Sequence, residues 1–218
     1  MLDDEALERS SVVANNAMNR ERGLTGPNSY TKDLGVDLVA LLDGARWLDL
    51  CCGSGRALAE AKTRFGDRVR AVGLDLVDHF GVDGPEFFVG SLSTWRPDGE
   101  FDLITCVHGL HYVGDKLAAV SRAASWLAPG GRFVANFDAA DVRDEDGAPL
   151  GRRLTAALRA AGFSYDARRR LLSCVGGRDA RLPFDYLGAD DRAGPNYTGQ
   201  PAVVSHYRAS RSPGTGSG

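Results

Sequence analysis

Trp47-Leu48-Asp49-Leu50-Cys51-Cys52-Gly53-Ser54-Gly55 decides how this chain is read. The apolar run Arg46 to Cys51 has the length of a strand. Residues 56–65 place Ala57, Leu58, Ala61 and Phe65 on one helical face, and Gly66 is the stop. Gly53 and Gly55 accept backbone angles that other residues avoid. They leave N–H groups open to a ligand at the carboxyl end of the strand. Further on, Asp75 ends a second apolar segment, where a carboxylate can take two ribose hydroxyls.

Outward from this loop the pattern alternates. Strands are predicted at Val69–Leu76, Glu86–Gly90, Phe101–His108 and Arg132–Phe137, with helices at 115–127 and 150–161 and a turn at Pro129-Gly130-Gly131. Strands alternating with helices imply a mainly parallel sheet. Only Val77 to Pro85 connects the second and third strands, short for a parallel crossover. Either one helical turn remains around Val77 to Phe80, or the strand limits shift. Beyond residue 170, Leu171–Val175, Arg181–Leu187 and Ala202–Arg208 read as strands without helices between them and are expected to be antiparallel. A loop, 190–201, carries Asn196 and Tyr197. Before the first strand, helices are predicted over 3–19 and 33–42. The expected organisation is a helical lid segment over 1–44, one α/β domain over 45–209, and a disordered glycine- and serine-rich tail over 210–218.

Composition narrows the function. The 218 residues carry a formal net charge of −3, which disfavours nucleic acid as a partner. No apolar run approaches the roughly 20 residues of a membrane span, and the acidic start Met-Leu-Asp-Asp-Glu does not resemble a signal peptide. Cys51, Cys52, Cys106 and Cys174 form no C-x-x-C pair, so no metal site is expected. They read as reduced residues of a cytoplasmic protein.

A dinucleotide would also suit a glycine loop followed by an acid. Two residues oppose it. The pyrophosphate fingerprint wants glycine or alanine where Leu58 stands, and Asp49 would repel a pyrophosphate. The same carboxylate suits a ligand with an ammonium group and a positive sulfur. Residues 46 to 137 resemble class I S-adenosylmethionine-dependent methyltransferases of the small-molecule type. WLDLCCGSG, GLDL, FDLITCVHGLHYV and LAPGGRF carry the resemblance, in order. It implies a Rossmann-like seven-stranded, mostly parallel sheet of order 3-2-1-4-5-7-6, with helices on both faces, strand seven antiparallel, and 202–208 as that strand. It implies S-adenosyl-L-methionine as cofactor. Asp49 and the Gly53 backbone would hold the methionine part, and Asp75 would take the ribose. Leu76 would pack on the adenine, Ser91 and Leu92 would lie at its edge, and His108 would sit near the methionine moiety. Cys51 replaces the usual first glycine of the loop, which implies a slightly reshaped loop. Ser91 replaces a common aspartate, which puts the hydrogen bond to the adenine amine in question.

Methyl transfer needs alignment above all, and a base when the acceptor must lose a proton. His108 and His111 follow the fourth strand and are the candidate bases; the plainer reading is that they shape the pocket. Tyr30 is read either as a lid residue on the methionine carboxylate or as loop packing. Arg20 and Arg22 are read as surface residues. His111, Tyr112, Asn136, Asn196 and Tyr197 are the candidate substrate contacts. The expected activity is O- or N-methylation of a small molecule in secondary metabolism. A non-methylating reaction such as cyclisation, or a peptide or protein substrate, is the alternative, and a homodimer stays open.

Overall fold

The computed structural model describes residues 1–14 and 21–210. Residues 15–19 of the expected helix 3–19, together with Arg20, fall outside these. So does the tail beyond Ser210.

A first strand buried on both faces needs cover on both faces. Trp47, Leu48, Asp49 and Leu50 of β1 (Arg46–Leu50) are all 0–1% exposed. β1 lies at the centre of a seven-stranded sheet. β2 (Arg70–Asp75) and β3 (Glu86–Val89) extend it on one side. β4 (Phe101–Cys106), β5 (Leu127–Asn136), β8 (Leu171–Val175) and β7 (Ser164–Asp166) extend it on the other. The order is β3-β2-β1-β4-β5-β8-β7, and β8 alone runs antiparallel to its neighbours. This is the Rossmann-like order expected from the sequence. One assignment within it is corrected. The antiparallel seventh strand is Leu171–Val175, not 202–208, and its partner Ser164–Asp166 was not foreseen. That partner has three residues, too few to show a period of two.

The later strands form a second sheet, β6 (Val142–Arg143), β10 (Val204–Ala209) and β9 (Phe184–Asp190), in the order β6-β10-β9. β9 begins three residues later than predicted, and a register shift sits at His206/Tyr207. A buried lysine docks this sheet. Lys116 starts α5 (Lys116–Ser125), and its Nζ donates to Val203 O at 2.7 Å and Ser205 Oγ at 2.9 Å. The Tyr207 hydroxyl donates to Asp115, which caps the same helix.

α4 (Arg56–Phe65) has the predicted limits and packs on one face of the large sheet, with Leu58 fully buried. α5 and α6 (Arg152–Ala160) cover the other face. The predicted helix 33–42 is two, α2 (Tyr30–Leu34) and α3 (Leu38–Leu42). Gly35 ends the first at a left-handed φ of 60°, and the Asp37 carboxylate caps the second. The first helix, α1, is Asp4–Glu8, with turns from residue 9 to 14. No helix forms between β2 and β3. Phe80 of this connection instead stacks on Phe87 of β3 at 4.4 Å. Pro129 to Gly131 lie within β5, where the register shifts against β4, rather than in a preceding turn. No helix of the described residues is long and apolar enough to cross a membrane.

Candidate active site

A cleft opens at the carboxyl ends of β1, β2 and β4. The loop after β1 makes its floor. Gly53 donates its N–H to Asp75 Oδ2 at 2.8 Å, and Val77 N–H donates to Asp75 Oδ1 at 3.1 Å, so the carboxylate at the end of β2 is held beside the glycine loop. Cys51 takes a left-handed φ of 57°, the conformation a glycine adopts without cost, so the loop keeps a glycine-like course. Gly55 is needed sterically, because a Cβ there would collide with the Phe87 ring.

The sequence-derived residues divide in two. Tyr30, Cys51, Gly53, Asp75, Leu76, Leu92, His108, His111, Tyr112 and Asn196 line the cleft. Asp49, Ser91, Asn136 and Tyr197 stand behind its wall or beside it. Asp49 is the sharpest departure. It is fully buried, and both its oxygens are occupied. The Tyr30 hydroxyl donates to Oδ2 at 2.7 Å and the Thr105 hydroxyl to Oδ1 at 2.6 Å. Thr105 in turn accepts the Trp47 indole N–H at 2.8 Å. Burial raises the Asp49 pKa to about 7. The two hydroxyls hold it down against that, and the charge of Asp75 adds to the rise. Asp49 therefore faces the cleft through the Tyr30 hydroxyl. Asn136 is buried outside the cleft lining, and its Oδ1 accepts the His108 backbone N–H at 3.2 Å, which fixes the end of β4. The Ser91 hydroxyl contacts Glu8 of α1 and lies 2.6 Å from that of Ser93.

The two histidines differ. His108 adopts a left-handed φ of 58°, and its Nε2 lies 3.4 Å from Asp33 Oδ2. Burial works against the Asp33 charge, but His108 and Arg22 together hold its pKa below the usual range. His111 is 1% exposed. Its Nδ1 lies 3.5 Å from Asp141 Oδ2, and its Nε2 has no hydrogen-bond partner among the described residues. Burial lowers the His111 pKa, and Asp141 opposes the fall only in part. Burial thus favours the uncharged ring, with Nδ1 toward a carboxylate and Nε2 buried at the cleft wall. The Val203 N–H donates to the His111 carbonyl at 2.8 Å, so the second sheet holds this turn in place. Tyr197 closes the outer side. Its ring lies 5.4 Å from His111 and 6.4 Å from His108, under the Arg170 guanidinium at 4.3 Å.

Residues 28–175 match the family described as methyltransferase domain. The chain belongs to that family. The matched methyltransferase region spans β1 to β8 and contains Tyr30, the glycine loop and both histidines. Among curated relatives, a ubiquinone biosynthesis O-methyltransferase of Xanthomonas campestris pv. campestris (strain B100) is 34% identical over 139 residues, 57% of each chain. A 2-phytyl-1,4-naphtoquinone methyltransferase of Thermosynechococcus vestitus is 33% identical over 119 residues, 49% of this chain and 52% of its own. The chain thus spans about half the length of the curated relatives it matches. Among solved structures, a SAM-dependent methyltransferase from Thiobacillus denitrificans in complex with S-adenosyl-L-homocysteine is 26% identical. It covers 55% of this chain and 52% of that one, with a TM-score of 0.43.

Four residues in or behind this cleft were not singled out from the sequence: Glu8, Asp33, Thr105 and Asp141. Asp141 follows β5, in the turn where substrate contacts were sought, and its place in the chain was its only signal.

Proposed function

We propose that the protein is an S-adenosylmethionine-dependent methyltransferase that methylates a hydroxyl of a small molecule. The observation that carries this reading is the buried, unpartnered Nε2 of His111 in the cleft wall, with Asp141 behind the other ring nitrogen. A buried polar atom without a partner carries a desolvation cost, and a ligand hydroxyl removes it.

The cleft residues suit the cofactor. Asp75 presents a carboxylate to the ribose hydroxyls, Gly53 is the backbone neighbour of the methionine part, and Leu76 and Leu92 form an apolar shelf for a flat base. Tyr30, backed by Asp49, places a hydroxyl on the side that meets a cation, with a carboxyl behind it that carries charge above about pH 7. When bound there, the cofactor supplies a methyl group on a positive sulfur, ready for in-line displacement. The protein's part is alignment and proton removal. His111 Nε2 accepts the acceptor's hydroxyl proton, and the Asp141 carboxylate, 3.5 Å from Nδ1, steadies the imidazolium. Such a base contributes roughly 10²–10⁴-fold. His108, tied to Asp33, shapes the pocket. Tyr112 and Asn196 contact the acceptor, and Asn196 Nδ2 has no hydrogen-bond partner among the described residues. The described N-terminal residues at the cleft, Leu7, Glu8, Val13 and Tyr30 among them, serve as its lid. The O-methyltransferase name of the Xanthomonas campestris relative agrees with a hydroxyl acceptor. The expectation of a secondary metabolite is sharpened here to acceptor chemistry: a small, hydroxyl-bearing scaffold.

The test is incubation with S-adenosylmethionine labelled in the methyl group and a panel of phenols, alcohols and amines, read by mass spectrometry. A phenol or alcohol gaining one labelled methyl, with S-adenosylhomocysteine released, supports the reading. Release of methylthioadenosine supports cyclisation instead, and methylation of amines alone removes His111 as the reason for the specificity.

A further inference from the structure

We propose that Glu8, on the N-terminal helix, recognises the exocyclic amine of the cofactor's adenine and makes the enzyme selective for a 6-amino purine. The proposal rests on the cofactor assignment above. With the ribose at Asp75, the base extends past Leu76 toward Leu92 and Ser93. That end of the cleft is apolar. Leu7 is 1% exposed, Leu92 8% and Val13 9%, and all three line it. A flat heteroaromatic ring fits such walls, but its amine then leaves water and needs an acceptor.

Asp4, Glu8 and Arg122 are the charged side chains at this end of the cleft. Arg122 is a donor and cannot accept from an amine. Asp4 Oδ1 packs beside Gly114 and the Tyr186 hydroxyl, where a side chain added at Gly114 would collide with both, and it has no hydrogen-bond partner among the described residues to orient it. Burial and the neighbouring Asp4 push the Tyr186 hydroxyl above its ordinary range, in keeping with that contact. Glu8 is different because it is held in place. The Ser91 hydroxyl donates to Glu8 Oε1. Ser91 is fixed by the Ser93 N–H at 3.0 Å and hydroxyl at 2.6 Å. Gly90 N–H donates to the Asp75 carbonyl at 2.9 Å, so this whole turn is tied to the ribose-binding end of β2. A carboxylate has about four acceptor positions, and Ser91 uses one. Ser91 is thus a positioning residue: its own hydroxyl is committed, and the charge it orients comes from a different element. α1 is itself anchored, since Leu2 exchanges two backbone hydrogen bonds with Ala189 of β9, at 2.7 and 2.9 Å. The acceptor therefore reaches the base from the lid rather than from the sheet.

The experiment is calorimetric titration of the purified protein with S-adenosylhomocysteine and with its 6-oxo counterpart, S-inosylhomocysteine. The wild type is expected to prefer the amino compound. Glu8→Ala is expected to lose roughly tenfold to a hundredfold in affinity for the amino compound and little for the oxo compound, so the preference collapses. Glu8→Gln, which keeps the packing of α1, should fall between the two. Adding Ser91→Asp to Glu8→Ala restores a carboxylate at the same place and should restore part of the preference. Equal loss for both ligands would mean that Glu8 only seats the helix, and no loss for either would place the amine elsewhere; each overturns the proposal. A wild type that binds neither ligand would instead overturn the cofactor assignment.

Discussion

Asp49→Asn should stabilise the protein and weaken its grip on a cationic ligand. Asp49 is fully buried, and burial raises its pKa from 3.8 to about 7. A carboxyl group with a raised folded pKa binds a proton in the native state that the unfolded chain has already lost. Stability then falls as pH rises from the unfolded value through the folded one. Between pH 5 and pH 7 the unfolded carboxyl is ionised and the native one is not. Two pH units at about 1.4 kcal/mol each give a loss of roughly 3 kcal/mol, which levels off above pH 7. Asparagine fits the same network. Its oxygen can accept from Thr105, and its amide can donate to the Tyr30 oxygen. The assay is urea denaturation of both proteins at half-unit steps from pH 5 to pH 8. The difference between the two curves isolates Asp49, because His111 and Lys116 titrate alike in both. The variant should gain about 3 kcal/mol on the wild type across this range, and should bind S-adenosylmethionine more weakly at pH 8. A constant difference would overturn this expectation, because Asp49 would then be ionised throughout.

Two further outcomes follow from the geometry. Asp141→Asn removes the charge that opposes the lowering of the His111 pKa, so the acid limb of the kcat–pH profile should move to lower pH while maximal kcat falls and cofactor affinity holds; an unmoved limb detaches Asp141 from His111. Gly55→Ala imposes a left-handed side chain at φ 77° and drives a methyl into the Phe87 ring, so the midpoint of thermal unfolding should drop with a loss of about 2 kcal/mol or more; a wild-type midpoint would show that Phe87 moves aside freely.

The central strands were legible because each is a self-contained apolar run, and α4 because its inward residues and stop glycine agree on one boundary. β7 was not, since Ser164-Tyr165-Asp166 carries no period. Without it the seventh strand was sought too late in the chain. The helix expected at 33–42 broke because Gly35 and Asp37 are a stop and a start, a pair that reads equally well as helix interior and surface. In the site, residues fixed by backbone position, such as Gly53 and Asp75, fell where their motifs put them. Residues whose role depends on side-chain neighbours did not. Asp49 is turned inward by Tyr30 and Thr105, and Tyr197 leans on Arg170. Glu8 and Asp141 enter the site from elements with no motif of their own, so only the fold brings them in.

Every role proposed for these residues depends on the cleft at the end of β2 being the cofactor site. Calorimetric titration of S-adenosylmethionine into the wild type and into Asp75→Ala tests this most directly. The expected result is one site per chain in the wild type, and at least a tenfold weaker one in the variant, with unchanged circular dichroism. Equal affinity in the two proteins, or no heat of binding in the wild type, would contradict it.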